Sequence, residues 1–270
     1  MNYYEYTHGD KMIGYIDEGV GDTIVLLHGF CGSHEYFKYL IPLLSEKHRV
    51  LAFDLRGHGG TTTTDEPYGV EDMAEDIHEV LKDLKIDHAS IFGHSLGGYV
   101  TLAFAEKYPK MIASFGLLHS TAFPDTEEGK AKRDAGKEKI EKEGIKPFID
   151  ELVPNLFAPQ NMEMRTAEIE FVKHLGYHTS KAGATGALFA MKNRPDRNKV
   201  IKDAKVPVLL LAGNSDQIAP LQKSFSQEGN HIKQVILEDS GHMGMLEKPE
   251  ETAKSILEFI ENHVNVKADE

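Results

Sequence analysis

The chain has 270 residues, long enough to bury a substantial core, and an α/β domain of this size has room for an insertion. Its 40% hydrophobic content without an apolar run of about eighteen residues argues against disorder and against a membrane span, and a net charge of −13 repels phosphate backbones and argues against a nucleic-acid partner. The first residues lack a basic-then-apolar leader, and the single cysteine, Cys31, provides neither an internal disulfide nor a zinc cluster, so a cytoplasmic protein with no metal and no cofactor is expected.

In chain order, Tyr3 to His8 and Met12 to Asp17 read as two strands turned at Gly9-Asp10, which gives an antiparallel edge. Thr23 to His28 is apolar on both faces, as a strand buried between helix layers requires, and it stops at Gly29. Tyr36, Phe37, Leu40, Leu43 and Leu44 then recur at helical spacing before a second buried strand, Val50 to Phe53, ends at Asp54. Val70, Met73, Ala74, Ile77, Leu81 and Leu84 form one stripe of an amphipathic helix. A strand at Ala89 to Gly93, a helix from Leu96 to Tyr108 stopped by Pro109, and a strand at Ile112 to Leu118 complete a run of β-α-β units. That alternation predicts a parallel sheet covered on both sides, with right-handed crossovers.

From about residue 122 to 205 the pattern changes to helix alone. Thr126 to Glu143 is dominated by charge and reads as a solvated helix face. Three further helices are marked by Phe148, Ile149, Leu152 and Val153, by Ile169, Phe171, Val172 and Leu175, and by Leu188, Phe189 and Met191. Some of these apolar residues, with Phe157, are candidates for a pocket wall, although packing within the insertion accounts for most. Strands return at Val206 to Ala212 and at Gln234 to Leu237, and a last helix carries Ala253, Ile256, Leu257, Ile260 and Val264 on one side. The division predicted is a core of residues 1–121 and 206–270 with a helical insertion at 122–205.

The sharpest local signal is Gly93-His94-Ser95-Leu96-Gly97, set between a strand and a helix. This is the G-x-S-x-G nucleophile elbow, whose glycines are needed because the turn is too tight for a Cβ on either flank. It would expose the Ser95 hydroxyl at a helix N-terminus, where the dipole favours developing negative charge. A serine needs a base and the base an orienting acid, and here both are expected to follow in the order Ser, Asp or Glu, His. Asp216 lies in the loop leaving the strand Val206 to Ala212, and His242 in Ser240-Gly241-His242 before the last helix. Asp239 competes as the acid but stands at the end of its own strand. His28, His58 and His94 belong to other turns. Oxyanion donors are expected from the backbone N–H of Leu96 and of Phe30 in His28-Gly29-Phe30-Cys31-Gly32. Cys31, with no base placed for it, reads as a small side chain lining the pocket rather than a nucleophile.

Together these residues resemble the α/β-hydrolase superfamily along nearly the whole chain: His28-Gly29-Phe30, Asp54-Leu55-Arg56-Gly57-His58-Gly59, the elbow, Gly213 to Asp216, and Gly241-His242. The resemblance implies a mostly parallel sheet of about eight strands with the second antiparallel, helices on both faces and a helical cap at 122–205. It also implies a structural role for Asp54 to Gly59. In relatives with a displaced acid the carboxylate follows the sixth strand; here His119-Ser120-Thr121 stands there, which favours Asp216. Ser95 argues against the epoxide hydrolases and haloalkane dehalogenases, which carry aspartate at the elbow. Met243 and the absence of tryptophan argue against carbon–carbon bond hydrolases, and Leu96 against perhydrolases. The expectation is a serine hydrolase that cleaves a carboxylic ester of a small-molecule acyl substrate through an acyl-enzyme. Carbon–carbon cleavage, acyl transfer or perhydrolysis with the same triad, and a non-catalytic ligand-binding member of the fold, are the alternatives.

Overall fold

The computed structural model describes residues 1–64 and 66–263, so Val264 of the last expected helix lies outside the described residues. The chain opens with the hairpin of β1 (Tyr3–His8) and β2 (Lys11–Glu18), followed by β3 (Thr23–Leu27). A single 3-10 turn at His34–Phe37 and the short α1 (Leu40–Ser45) fill the space before β4 (Arg49–Phe53). Then come α2 (Val70–Asp83), β5 (Ala89–His94), α3 (Leu96–Lys107) and β6 (Ile112–Leu118). The segment after β6 is helical: α4 (Glu127–Glu143), α5 (Ile145–Leu152), α6 (Thr166–His178), α7 (Lys181–Asn193) and the single-turn α8 (Asn198–Lys202). The chain returns through β7 (Val208–Gly213), α9 (Leu221–Ser224), β8 (Ile232–Leu237), α10 (Gly244–Glu247) and α11 (Pro249–His263).

All eight strands join one sheet in the order β1-β2-β4-β3-β5-β6-β7-β8. β2 runs antiparallel to both of its neighbours and every later pairing is parallel. The fold is therefore the α/β-hydrolase fold that the motif set implies. From β3 the chain steps outward through α1 to β4, whereas from β4 it steps the other way through α2 to β5, so right-handed crossovers put α1 and α2 on opposite faces. α1 packs with α11 and α2 with α3, which gives each face its helix layer. The reversal between β3 and β5 opens a crevice at the carboxyl ends of those strands, the place where open α/β sheets hold ligands.

Burial follows from the strand sequences. Every residue of β5 and β7 is buried, as expected for strands covered on both faces, while β8 at the sheet edge is only partly covered. β7 starts two residues later than expected because Pro207 has no N–H for the ladder; β8 starts two residues earlier, at Ile232. α8 has only Ile201 fully buried, too little apolar periodicity for the sequence to reveal it. In α4 only Gly136 and Ile140 are buried, so the charged stretch is a solvated face. The helical segment is fastened to the core by Arg194, whose guanidinium lies 2.7 Å from Asp125 and 4.0 Å from the centre of the Tyr99 ring on α3. Among the described residues no helix is long and apolar enough to cross a membrane.

Phe92, in the middle of the sheet, is fully buried, sits opposite Gly116 on β6 and meets the Phe259 ring of α11 at 6.1 Å. Phe92→Ala is expected to lower the unfolding free energy by about 3–5 kcal/mol, measured by urea titration, because the packed sheet can only partly collapse around the void. A loss below about 1 kcal/mol would contradict this packing.

Candidate active site

β5 delivers Ser95 to the crevice, and α3 begins at the next residue. Ser95 has φ +50° and ψ −113°, a backbone conformation that costs a non-glycine residue about 1–3 kcal/mol unless the surroundings impose it. They do so here. The Ser95 N–H donates to Leu118 O on β6 at 3.1 Å, and the Ser95 carbonyl accepts from Gly98 N–H at 2.9 Å and from the Ser120 hydroxyl at 2.7 Å. A Cβ on Gly93 would lie 2.1 Å from Gly97 O, and one on Gly97 would lie 2.1 Å from Leu27 O, so neither flank admits a side chain. The resulting position leaves Ser95 partly accessible amid a buried strand and helix.

His242 and Asp216 come from loops after β8 and β7 and meet beside the elbow. His242 Nδ1 lies 2.8 Å from Asp216 Oδ2, and both side chains are buried. The other oxygen, Asp216 Oδ1, accepts the N–H groups of Ile218 (2.8 Å) and Ala219 (2.9 Å), which fixes the carboxylate plane. Burial acts to raise the Asp216 pKa, but the facing imidazoles of His242 and His119 outweigh it and hold the carboxyl well below the usual carboxylate range. Asp239, the competing acid, is exposed at φ +52°, with its backbone carbonyl held by Asn161. Among the described residues no hydrogen bond joins the Ser95 hydroxyl to His242; such contacts tighten when substrate is bound.

The loop after β3 runs beside the elbow, since a Cβ on Gly29 would sit 3.2 Å from Ser95 Cβ. His28 braces this loop: its Nδ1–H donates to Gly29 O at 2.7 Å and its Nε2 accepts the Leu55 N–H at 2.9 Å. Burial pulls the His28 pKa down to about 3, in keeping with the neutral ring that these bonds require. Phe30 follows, partly exposed, with its ring 5.9 Å from Phe148 of α5. Leu96 opens α3, so its N–H has no partner within the helix. Cys31 is buried, and burial pushes its thiol above the ordinary range, which disfavours the reactive thiolate. Asp54 is the hub of its turn: Oδ1 accepts His34 N–H and Nδ1–H at 2.8 Å each, and Oδ2 accepts Gly60 N–H at 2.9 Å and the Tyr3 hydroxyl at 3.1 Å.

Two histidines bear on the site without having been singled out by sequence. His94 donates from Nε2 to the backbone carbonyl of His242 at 2.9 Å, and its ring lies 4.9 Å from the His242 ring. Burial, aided by the neighbouring imidazoles, takes its pKa well below the ordinary value, so it serves as a neutral strut. His119 Nδ1 approaches Asp216 Oδ2 at 3.4 Å, longer than a good hydrogen bond, and lies 3.3 Å from the Gly213 N–H. Its position at the end of β6, at φ +50°, was visible only as the place where an acid was missing.

An apolar cleft of about 320 Å³ lined by Ala105, Pro109, Ile112, Phe115, Val200 and Val206 stands apart from this chemistry. It lies at the far end of α3, roughly 15 Å from Ser95 at the rise of a helix, and at the amino ends of β6 and β7.

Comparison with known proteins agrees with the geometry. A family model described as the alpha/beta hydrolase fold matches residues 22–142. A putative carbamate hydrolase of Rhizobium rhizogenes is 26% identical over 91% of this chain and 95% of its own length. The dihydrolipoyllysine-residue acetyltransferase component of an acetoin cleaving system from Pseudomonas putida is 27% identical over 94% of this chain and 68% of its own. Among solved structures, a thermophilic esterase from Thermogutta terrifontis superposes with a TM-score of 0.91 at 27% identity, covering 97% of this chain and 99% of that one. The chain has the α/β-hydrolase fold and is similar over nearly its whole length to enzymes of that fold, and it is a hydrolase.

Proposed function

We propose that the protein cleaves a carboxylic ester of a small-molecule acyl substrate, with Ser95 as nucleophile, His242 as base and Asp216 as the orienting acid. The observation that carries this reading is the imposed left-handed backbone of Ser95 beside the 2.8 Å His242–Asp216 contact. In this mechanism His242 Nε2 takes the Ser95 proton as Oγ attacks the ester carbonyl. The oxyanion is received by the N–H groups of Phe30 and Leu96. Collapse of the tetrahedral intermediate expels the alkoxide, which leaves with the proton held by His242. Water, deprotonated by the same imidazole, then attacks the acyl-enzyme, releasing the acid and restoring the Ser95 hydroxyl. Asp216, held ionised, keeps the His242 proton on Nδ1 and stabilises the imidazolium formed in each half-reaction.

Residues 122–205 act as the cap over this site, supported by the Phe148–Phe30 ring contact and by the His242 N–H donating to Leu156 O at 2.7 Å. The remaining chain, 1–121 and 206–270, is the catalytic core. The likeness to an esterase at 27% identity supports the ester reading, alongside a putative carbamate hydrolase at 26% that keeps other acyl bonds within the same class. Acyl transfer to an acceptor other than water is the second reading, supported by the acetyltransferase relative. A sole, buried, unpaired cysteine fits a reducing, cytoplasmic setting.

A panel of chromogenic esters graded in acyl length tests the reaction. Wild type is expected to hydrolyse a subset, with Ser95→Ala reducing kcat/KM at least about 10³-fold. Equal turnover by the two proteins would refute the nucleophile, and an acceptor that diverts the acyl group from free acid would favour transfer.

The Asp216 carboxyl is lowered by folding, so its contribution to stability is present above the unfolded value of about 4 and is lost as pH falls through the folded value. The stability advantage of wild type over Asp216→Asn is therefore expected to shrink as pH is lowered from about 5 toward 3, measured by chemical denaturation. A gap that stays constant over that range would contradict an ionised, stabilising Asp216.

A further inference from the structure

Glu247 closes the single turn of α10 and is 1% exposed, yet no cation faces its carboxylate among the described residues. Its charge is met by N–H groups from two separate parts of the chain. Oε1 accepts the backbone N–H of Gly241 at 2.9 Å and of Met243 at 3.4 Å, the two residues that flank His242. Oε2 accepts the Ala158 N–H at 2.9 Å and Asn161 Nδ2–H at 2.8 Å, both in the helical segment. The same two stretches are joined again where the His242 N–H donates to Leu156 O at 2.7 Å and Asn161 Nδ2–H to Asp239 O at 2.8 Å. Arg165 completes the seam with a 2.7 Å bond to the Glu247 carbonyl. The approach is so close that a Cβ on Gly241 would lie 2.4 Å from Ala158 N, which accounts for the glycine before His242.

We propose that Glu247 is a positioning residue for His242, and that through it residues 156–161 of the helical segment set the orientation of the imidazole. A buried carboxylate is costly unless both oxygens are satisfied, and here one is satisfied by the His242 loop and the other by the helical segment, so the pair requires both to be in place. The two bodies are thereby fixed to one another at the catalytic base. The inference rests on the reading of His242 as that base.

Glu247→Gln keeps the shape but turns one oxygen into an NH₂ that must face N–H donors, either those beside His242 or those of the helical segment. Misplacing a catalytic group by a fraction of an ångström is expected to cost kcat roughly tenfold or more, with KM changed less than about twofold. The proton resonance of His242 Nδ1–H is expected to shift or broaden in parallel. Asn161→Ala removes one donor remote from the chemistry and is expected to move both readouts the same way, by about two- to fivefold in kcat. A merely structural role would lower Tm while folded protein keeps the wild-type kcat and the wild-type resonance, and that outcome overturns the proposal. Should Glu247→Gln not fold, Asn161→Ala decides on the same two readouts. The resonance reports on His242 without reference to turnover, so loss of the ester-hydrolysis reading in the Ser95→Ala comparison is distinguishable from failure of the positioning claim.

Discussion

The backbone of Ser95 is the constraint around which the rest of the site is arranged. A left-handed serine between a buried strand and a buried helix is unfavourable on its own. It persists because three groups fix its amide and carbonyl, and because the chain on either side has no Cβ to resist the crossing. The sheet order supplies the location. Reversal of the winding direction of the sheet between the parallel strands β3 and β5 opens a crevice at their carboxyl ends, where the elbow and the Phe30 loop begin. A strained turn is tolerable there because β3, β5 and β6 form its rigid floor.

Electrostatics in the site follow from burial. Imidazoles at 28, 58 and 94 are removed from water and are driven toward the neutral form, which makes them hydrogen-bonding struts rather than charges. The carboxylates behave differently because each is given donors. Asp54 holds a turn, Asp216 holds an imidazole, and Glu247 holds two stretches of backbone. Each carboxylate is placed where a loop must not move, so the polar frame sits around the partly accessible Ser95.

Sequence reading succeeded where the physical cause is local. Short runs apolar on both faces marked the buried strands, and the elbow is a five-residue pattern whose glycines have a steric reason. Asp216 and His242 could be nominated from chain order and from their place after strands, and the structure brings their side chains together while leaving Asp239 in solvent. What escaped depends on contacts between distant segments. Nothing near His94 indicates that its ring would reach the carbonyl of residue 242, and nothing near Glu247 indicates that residues 158 and 161 would turn to meet it. His119 was read only as a missing carboxylate, because its role depends on how β6 and β7 lie side by side. Within the helical segment, apolar spacing marked α5, α6 and α7, but the one-turn α8 has no periodicity to read.

Activation of the Ser95 hydroxyl is the central feature of the proposed chemistry. Treating the native protein with a fluorophosphonate and mapping the modified peptide by mass spectrometry tests this most directly. A single adduct on the peptide that contains Ser95 is predicted, since that hydroxyl is partly accessible on the elbow whose His94 ring packs against His242. No adduct, or one on another residue such as Cys31, would contradict it.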